Sequence, residues 1–182
     1  MVIKRTILPV EALSADTQKF FDVLNDEPDF SVVVVSCAYL DACLGSILEK
    51  HLIQSEVSTK LLDVRSSGVL GSFSARSDAC YALGLISKRI YQDLLALAGL
   101  RNQFAHHHLM LDFDAAGICQ MCASLKYAET LERFDMDNGE LMFKPGQLED
   151  ARTRFVMTVV LISQRLLLIA LEVKRIEKVD SK

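Results

Sequence analysis

The feature that most constrains the fold is an apolar run over residues 30–53, whose first half is apolar almost all round. Four consecutive valines at 32–35 would also suit a buried strand. A strand normally stops within about 8 residues, whereas this run continues through Leu40 and Leu44. The run is therefore predicted to be a helix at the centre of a bundle.

Three further segments show helical spacing of apolar residues, and they lie near 74–85, 87–107 and 149–177. The two longer ones, together with the central run near 31–53, are expected to enclose the core. The segment near 74–85 closes one side. These helices predict an all-α fold, a helical bundle.

The chain is predicted to form one domain over residues 1–182, with its core in about 30–110 and 148–178. Residues 115–131 are expected to form either one helix or only two turns of one. Asn138-Gly139 stands between two short apolar groups, a pattern that suits a type I′ turn. A small β-hairpin near 134–143 is the expectation there.

Composition excludes some functional classes. The formal net charge is -4, which argues against a protein that coats nucleic acid through a global positive field. Five cysteines are an odd number, which favours a reducing cytoplasm over a disulfide framework. The two most apolar segments carry Asp41 and Gln164-Arg165 at their centres, so they are predicted to be buried core helices and not membrane spans.

A polar cluster stands at the end of the segment near 87–107, in the sequence Leu100-Arg101-Asn102-Gln103-Phe104-Ala105-His106-His107-His108. Arg101 falls on the same helical stripe as the core residues Leu94 and Leu97. A buried arginine needs a carboxylate, and Asp41 on the most apolar helix is the obvious one. We predict a structural ion pair between Asp41 and Arg101.

The same cluster also suits phosphate chemistry. Arg101 could clamp a phosphate, His106 could move a proton near neutral pH, and Asn102 could support them. Such a set cleaves RNA without a metal, using the ribose 2′-hydroxyl as nucleophile. On one straight helix Arg101 and His106 point about 140° apart, which fits a site shared by two subunits better than a site within one chain.

Cys119 and Cys122 have the spacing of half a zinc site, and the histidines at 106–108 could supply the rest. No second cysteine pair accompanies them, so two small apolar thiols facing the core are the preferred interpretation. We expect no metal and no cofactor.

Several blocks in the middle of the chain resemble the mannitol operon repressor family, in its order and spacing. They are Leu70-Gly71-Ser72-Phe73-Ser74-Ala75-Arg76, Tyr81-Ala82-Leu83-Gly84-Leu85-Ile86, Tyr91-Gln92-Asp93-Leu94, and Leu100-Arg101 through His106. This resemblance implies a helical fold, a negative regulator of a sugar-alcohol operon, and a homodimer. The chain shows no helix-turn-helix with basic recognition positions, so regulation through a protein partner is favoured over direct DNA binding.

The Arg-Asn-x-x-x-His core is also similar to the signature of the HEPN superfamily, whose all-helical domains include ribonuclease toxins and non-catalytic, protein-binding relatives. The nuclease branch would make Arg101 and His106 catalytic, with Asn102 as their polar support and RNA as substrate. This endoribonuclease is the alternative to a regulator that is not an enzyme.

Two residues are expected to contact a partner, namely Arg76 and His107. For Arg76 a structural role at a helix junction is the preferred interpretation, through an ion pair with Asp78 or Asp93. Ligand or partner binding is the alternative role for Arg76.

Overall fold

The protein is described from a computed structural model that covers residues 7–63, 68–106, 111–130 and 148–177. Over these ranges the chain is helical and contains no β-strand, which confirms the predicted all-α fold. The helices are α1 Val10–Ala15, α2 Thr17–Asp26, α3 Asp29–His51, α4 Glu56–Leu62, α5 Phe73–Ala82, α6 Lys88–His106, α7 Ala116–Ala123 and α8 Ala151–Glu172, with a 3-10 turn at Ala128–Thr130.

Helix α3 is the predicted central helix, and it packs against α2, α5, α6 and α8. Its side chains Val33, Leu40 and Leu44 are fully buried. One connected cluster of buried side chains runs from Val10 in α1 to Ala170 in α8. The apolar run is too long for a strand and too apolar for a surface helix, so the other helices are arranged around it. That residues 1–182 act as one domain stays a prediction.

A helical hairpin joins α5 to α6. Helix α5 starts at a serine cap, where the Ser72 hydroxyl accepts from the Ala75 N–H at 3.2 Å. It ends at Ala82, and Gly84 follows with a φ of +70°, a conformation that favours glycine. The Leu85 N–H donates to the Cys80 carbonyl at 2.9 Å, as in a Schellman helix end. In the sequence, Gly84 followed by Ser87 predicts a helix end and a new N-cap joined by a tight turn, and this turn is present.

Helix α8 starts where the Asp150 carboxylate accepts from the Thr153 N–H at 2.6 Å. It ends at Glu172 and not near 177 as predicted. Lys50 in α3 donates to the carbonyls of Ala170 and Leu171, both at 2.7 Å. These two bonds satisfy carbonyls that the helix end leaves without partners, so α8 can stop there.

Of the two alternatives for residues 115–131, the structure has the shorter one, because α7 stops at Ala123 after about two turns and a 3-10 turn follows. The buried carboxylate of Asp93 accepts from the backbone N–H groups of Lys126 and Tyr127, which holds this stretch in a loop. The β-hairpin predicted near 134–143 lies outside the described residues.

Helices α3 and α8 are long and apolar enough to cross a membrane, judged by length and composition alone. They pack against each other more extensively than any other pair of elements in the described chain. The core helix of a soluble protein passes the same test. The packing of α3 against α8 agrees with the prediction of buried core helices, which was made from Asp41 and Gln164-Arg165 at their centres.

Candidate functional site

The polar cluster lies at the carboxyl end of α6. This helix begins after Ser87, whose hydroxyl accepts from the Ile90 N–H at 3.4 Å, and its last residue is His106. Arg101, Asn102 and His106 are all exposed. The three predicted catalytic residues therefore reach solvent at one end of the helix, whereas His107, the predicted partner contact, lies outside the described residues.

The three side chains leave α6 in different directions. Asn102 and His106 lie on the outer face of the helix. His106 is turned about 140° around the helix axis from Arg101. Arg101 is on the side that faces α3, where the buried Cys37 thiol donates to the Leu97 carbonyl at 3.5 Å. Burial raises the pKa of Cys37 to about 12, and the positive charge of Arg101 acts in the opposite direction. Within one chain, the side chains of Arg101, Asn102 and His106 therefore do not converge on one point.

The predicted ion pair between Asp41 and Arg101 is wrong, because a different arginine pairs with Asp41. The Asp41 carboxylate pairs with Arg76 of α5, with Nη1 and Oδ2 2.9 Å apart. Within the described part of the chain, Arg101 makes no ion pair. Arg101 is exposed, so its place on the apolar stripe does not bury it.

Arg76 is the cation buried in the core, and its side chain is only 6% exposed. Besides Asp41 Oδ2, its guanidinium donates to three backbone carbonyls, those of Leu70 at 2.9 Å, Asp41 at 3.3 Å and Leu62 at 3.3 Å. Gly45 of α3 leaves room for it, since an added Cβ there would lie 3.2 Å from Nη1. Arg76 joins α3, α4 and α5.

This geometry corrects two predictions about Arg76. It does not pair with Asp78, which accepts from the Tyr91 hydroxyl at 2.8 Å, nor with Asp93. Its donors are occupied and its side chain is buried, so it is not a surface contact for a partner. The structural role that the sequence favoured is the one the contacts support.

Asp93 is a buried polar residue whose role the sequence prediction missed, and it is 2% exposed. Its carboxylate accepts from the N–H groups of Lys126 at 3.0 Å and Tyr127 at 2.7 Å. Burial raises its pKa, against the lowering effect of these hydrogen bonds. The sequence carried a signal for this role. Asp93 stands between Ile90 and Leu94 of the apolar stripe, and a carboxylate buried there needs hydrogen-bond donors.

Within the described residues the cysteine pair gathers no further ligands, and His107 and His108 lie outside them. Cys119 donates to the Phe113 carbonyl at 3.0 Å, and Cys122 is fully buried. Burial raises the pKa of Cys122 to about 12. Among the described residues no group of three or more His, Cys, Asp or Glu side chains could hold a metal ion.

A groove of about 610 Å³ lies elsewhere, between α1, the end of α3, α4 and the segment after α8. Its polar lining includes Glu11, Glu49, Lys50 and Arg175. Lys50 and Arg175 already donate to backbone carbonyls. No residue of the predicted site lines this groove.

Residues 40–168 match the family model described as mannitol repressor. The chain belongs to the mannitol repressor family. The matched range contains Asp41, Arg76, Asp93 and the polar cluster of α6, and it begins within α3, so α1 and α2 lie outside it. Membership in the mannitol repressor family bears out the resemblance of the sequence blocks, whereas the HEPN similarity stays a prediction.

The fold is similar to that of a chain in the X-ray structure of the MtlR–HPr complex from Escherichia coli. The TM-score is 0.62 and the sequences are 19% identical over 84% of this chain and 98% of that chain. At 19% identity this similarity shows that the two chains share a fold, and it shows nothing further about this mannitol repressor family member. A comparison with curated proteins found no match.

Proposed function

We propose that this protein is a cytoplasmic negative regulator of a sugar-alcohol operon of the mannitol type. The single observation that carries the proposal is the match of residues 40–168 to the mannitol repressor family. The packing of α3 against α8 inside the domain supports a soluble protein.

We further propose that it acts through a protein partner. The similar fold from Escherichia coli was determined in a complex with HPr, which makes HPr of the same cell the first partner to test. Charge supports this mode over DNA binding, because the chain has a formal net charge of -4. The exposed cations Lys88, Arg89 and Arg101 are spread along α6 and do not form one recognition surface.

Titration calorimetry of the purified protein with HPr tests this proposal. We expect saturable binding of one HPr per chain, and no heat of binding with a small acidic protein of similar size as the control. The absence of HPr binding, together with a tight complex between the protein and operator DNA, would contradict regulation by protein contact.

A second test is made in the cell. Deletion of the gene is expected to raise expression from the mannitol-type operon, and the wild-type gene on a plasmid should restore repression. The matched variant Arg76→Ala, which removes the buried ion pair, is expected to fail to repress because less folded protein accumulates. Unchanged expression in the deletion strain would contradict the proposal.

The second candidate is a metal-independent endoribonuclease. The observation that favours it is the exposure of Arg101, Asn102 and His106 at one end of α6, where they could meet the same residues of a second subunit. Cleavage of RNA in the presence of EDTA, lost in both Arg101→Ala and His106→Ala but retained in Lys19→Ala, would establish it. Wild-type protein that is inert on single-stranded and structured RNAs would contradict it.

A further inference from the structure

No step of the proposed function uses the groove between α1, the end of α3, α4 and the segment after α8. Its volume of about 610 Å³ is that of a small-molecule site. Part of its lining is apolar, namely Ile7, Val10, Ile53 and Leu62. An apolar lining with a few polar groups is the usual composition of a pocket that holds a small organic molecule.

The elements around the groove are fixed to one another. The segment after α8 lies against the end of α3, where the Ile176 N–H donates to the His51 carbonyl at 2.8 Å. In the same segment Arg175 Nη1 donates to the Leu52 carbonyl at 2.9 Å. Lys50 joins α3 to the last carbonyls of α8. The shape of the groove therefore exists before a ligand binds, which lowers the entropic cost of binding.

Ser46 of α3 is a buried polar residue that lines the groove. It is 4% exposed, and within the described part of the chain its hydroxyl makes no hydrogen bond. Two other buried serines in helices, Ser77 and Ser163, donate to carbonyls of their own helices. A buried hydroxyl without a partner costs free energy, so Ser46 is a group that a ligand in the groove would satisfy.

The charged side chains of the groove differ in what they contact. Lys50 and Arg175 already donate to backbone carbonyls. The carboxylates of Glu11 and Glu49 form no ion pair and no side-chain hydrogen bond with any described residue, and both residues are exposed. Glu49 follows Ser46 by three residues, so both lie on one face of α3. The groove offers acceptors to a ligand, whereas its cations are engaged within the protein.

We propose that this groove binds a small aliphatic diamine in its protonated form. One ammonium group lies between the Glu49 carboxylate and the Ser46 hydroxyl, and the carbon chain lies against the apolar lining. An ammonium group has donors and no acceptor, so it matches these two groups, and its bond to a carboxylate is charge-assisted. Glu11 adds a second negative charge, which favours a diamine over a monoamine. The inference is independent of the family match and of HPr binding.

Calorimetric titration of the full chain with putrescine and cadaverine tests this site. Butanediol and pentanediol are the matched ligands, because they have the same carbon chains without the charge. We expect one diamine to bind per chain and to raise the Tm, and we expect no effect of the diols. Failure of both diamines to bind would overturn the inference. Equal binding of diamines and diols would also overturn it, because the carboxylates would then have no role.

Three variants locate the site. Glu49→Gln removes the charge and keeps the shape, and it is expected to weaken diamine binding at least about tenfold. Ser46→Ala is expected to weaken binding as well, without lowering the Tm of the free protein, because the hydroxyl has no partner there. Glu149→Gln is the matched control, since Glu149 is exposed and stands before the start of α8, at the opposite end of that helix from the groove.

The variants also separate this site from general charge attraction. Equal weakening by Glu49→Gln and Glu149→Gln would contradict binding in the groove. A lowered Tm of the free Ser46→Ala protein would contradict the role given to that hydroxyl, because it would show that the hydroxyl already has a partner. Glu49→Gln is expected to bind HPr as the wild-type protein does, so this measurement reports separately on the proposed function.

Discussion

Two arginines of this protein occupy similar places in the sequence pattern and different places in the fold. Arg76 and Arg101 each stand among apolar residues of a helix, yet the side chain of Arg76 is 6% exposed whereas Arg101 is exposed. Arg76 finds a carboxylate and three carbonyls within reach. The comparison teaches that a buried cation is identified by the acceptors around it, and not by its position on an apolar stripe.

The largest expected effect is on the free energy of unfolding, which should respond very differently to removal of the two arginines. Arg76→Ala should lower the free energy of unfolding by about 3–5 kcal/mol, because it leaves Asp41 and buried carbonyls without their cation. Arg101→Ala should change it by less than about 0.5 kcal/mol, as for an exposed side chain. Urea denaturation of both variants measures the difference. Equal losses would break the comparison.

The next effect concerns Asp93, which is buried on the same helix that exposes Arg101. Asp93→Ala should cost about 2 kcal/mol, because the N–H groups of Lys126 and Tyr127 lose their acceptor. Hydrogen exchange should quicken at these two amides. Asp114→Ala, at an exposed aspartate, is the control and should leave both stability and exchange unchanged. Unchanged protection of the Lys126 and Tyr127 amides in Asp93→Ala would contradict the anchoring role.

A smaller effect tests whether Gly45 is there to make room for Arg76. Replacing a glycine inside a helix by alanine usually gains about 1 kcal/mol. In wild-type protein this gain should vanish, because the new methyl group would lie 3.2 Å from Arg76 Nη1. In the Arg76→Ala background the gain should return, so the double-mutant cycle should show a coupling of about 1 kcal/mol. Additive effects would show that Gly45 and Arg76 are independent.

The smallest effect is a pH dependence at the surface. Glu129 accepts from Arg154 at 2.6 Å and from Lys126 at 3.2 Å, and the Arg154 hydrogen bond is the main cause that lowers its pKa. Its contribution to stability is present above the unfolded-state pKa and is lost as the pH falls through the lowered folded-state pKa. Glu129→Gln should therefore flatten the acid side of the stability curve. An identical acid side in both proteins would exclude this linkage.

Much of the fold could be predicted from the sequence. The length of the apolar run at 30–53 excluded a strand, and Gly84 followed by Ser87 marked the turn between α5 and α6. These features act locally, through helix caps and apolar periodicity, so a single sequence reveals them. The sequence did not show which of the two alternatives for 115–131 holds, because the end of α7 depends on Asp93, which lies more than thirty residues away in sequence.

The site was harder to predict for the same physical reason. The sequence indicated that a buried Arg101 needs a carboxylate and offered Asp41, whereas for Arg76 it offered Asp78 or Asp93, so the pair of Arg76 with Asp41 was not predicted. The choice depends on which helix packs beside α3 at Asp41, and that is a property of the tertiary arrangement. The sequence placed Asn102 and His106 on a different side of α6 from Arg101, and in the structure both are exposed.

The packing of α3 against α8 also has a consequence for folding during synthesis on the ribosome. Helix α8 begins 100 residues after α3 ends, so the most apolar helix leaves the ribosome long before its main partner exists. At about 5–20 residues per second this delay lasts roughly 5–20 s. Until α8 emerges, only α2, α5 and α6 among the main neighbours of α3 can cover its apolar surface.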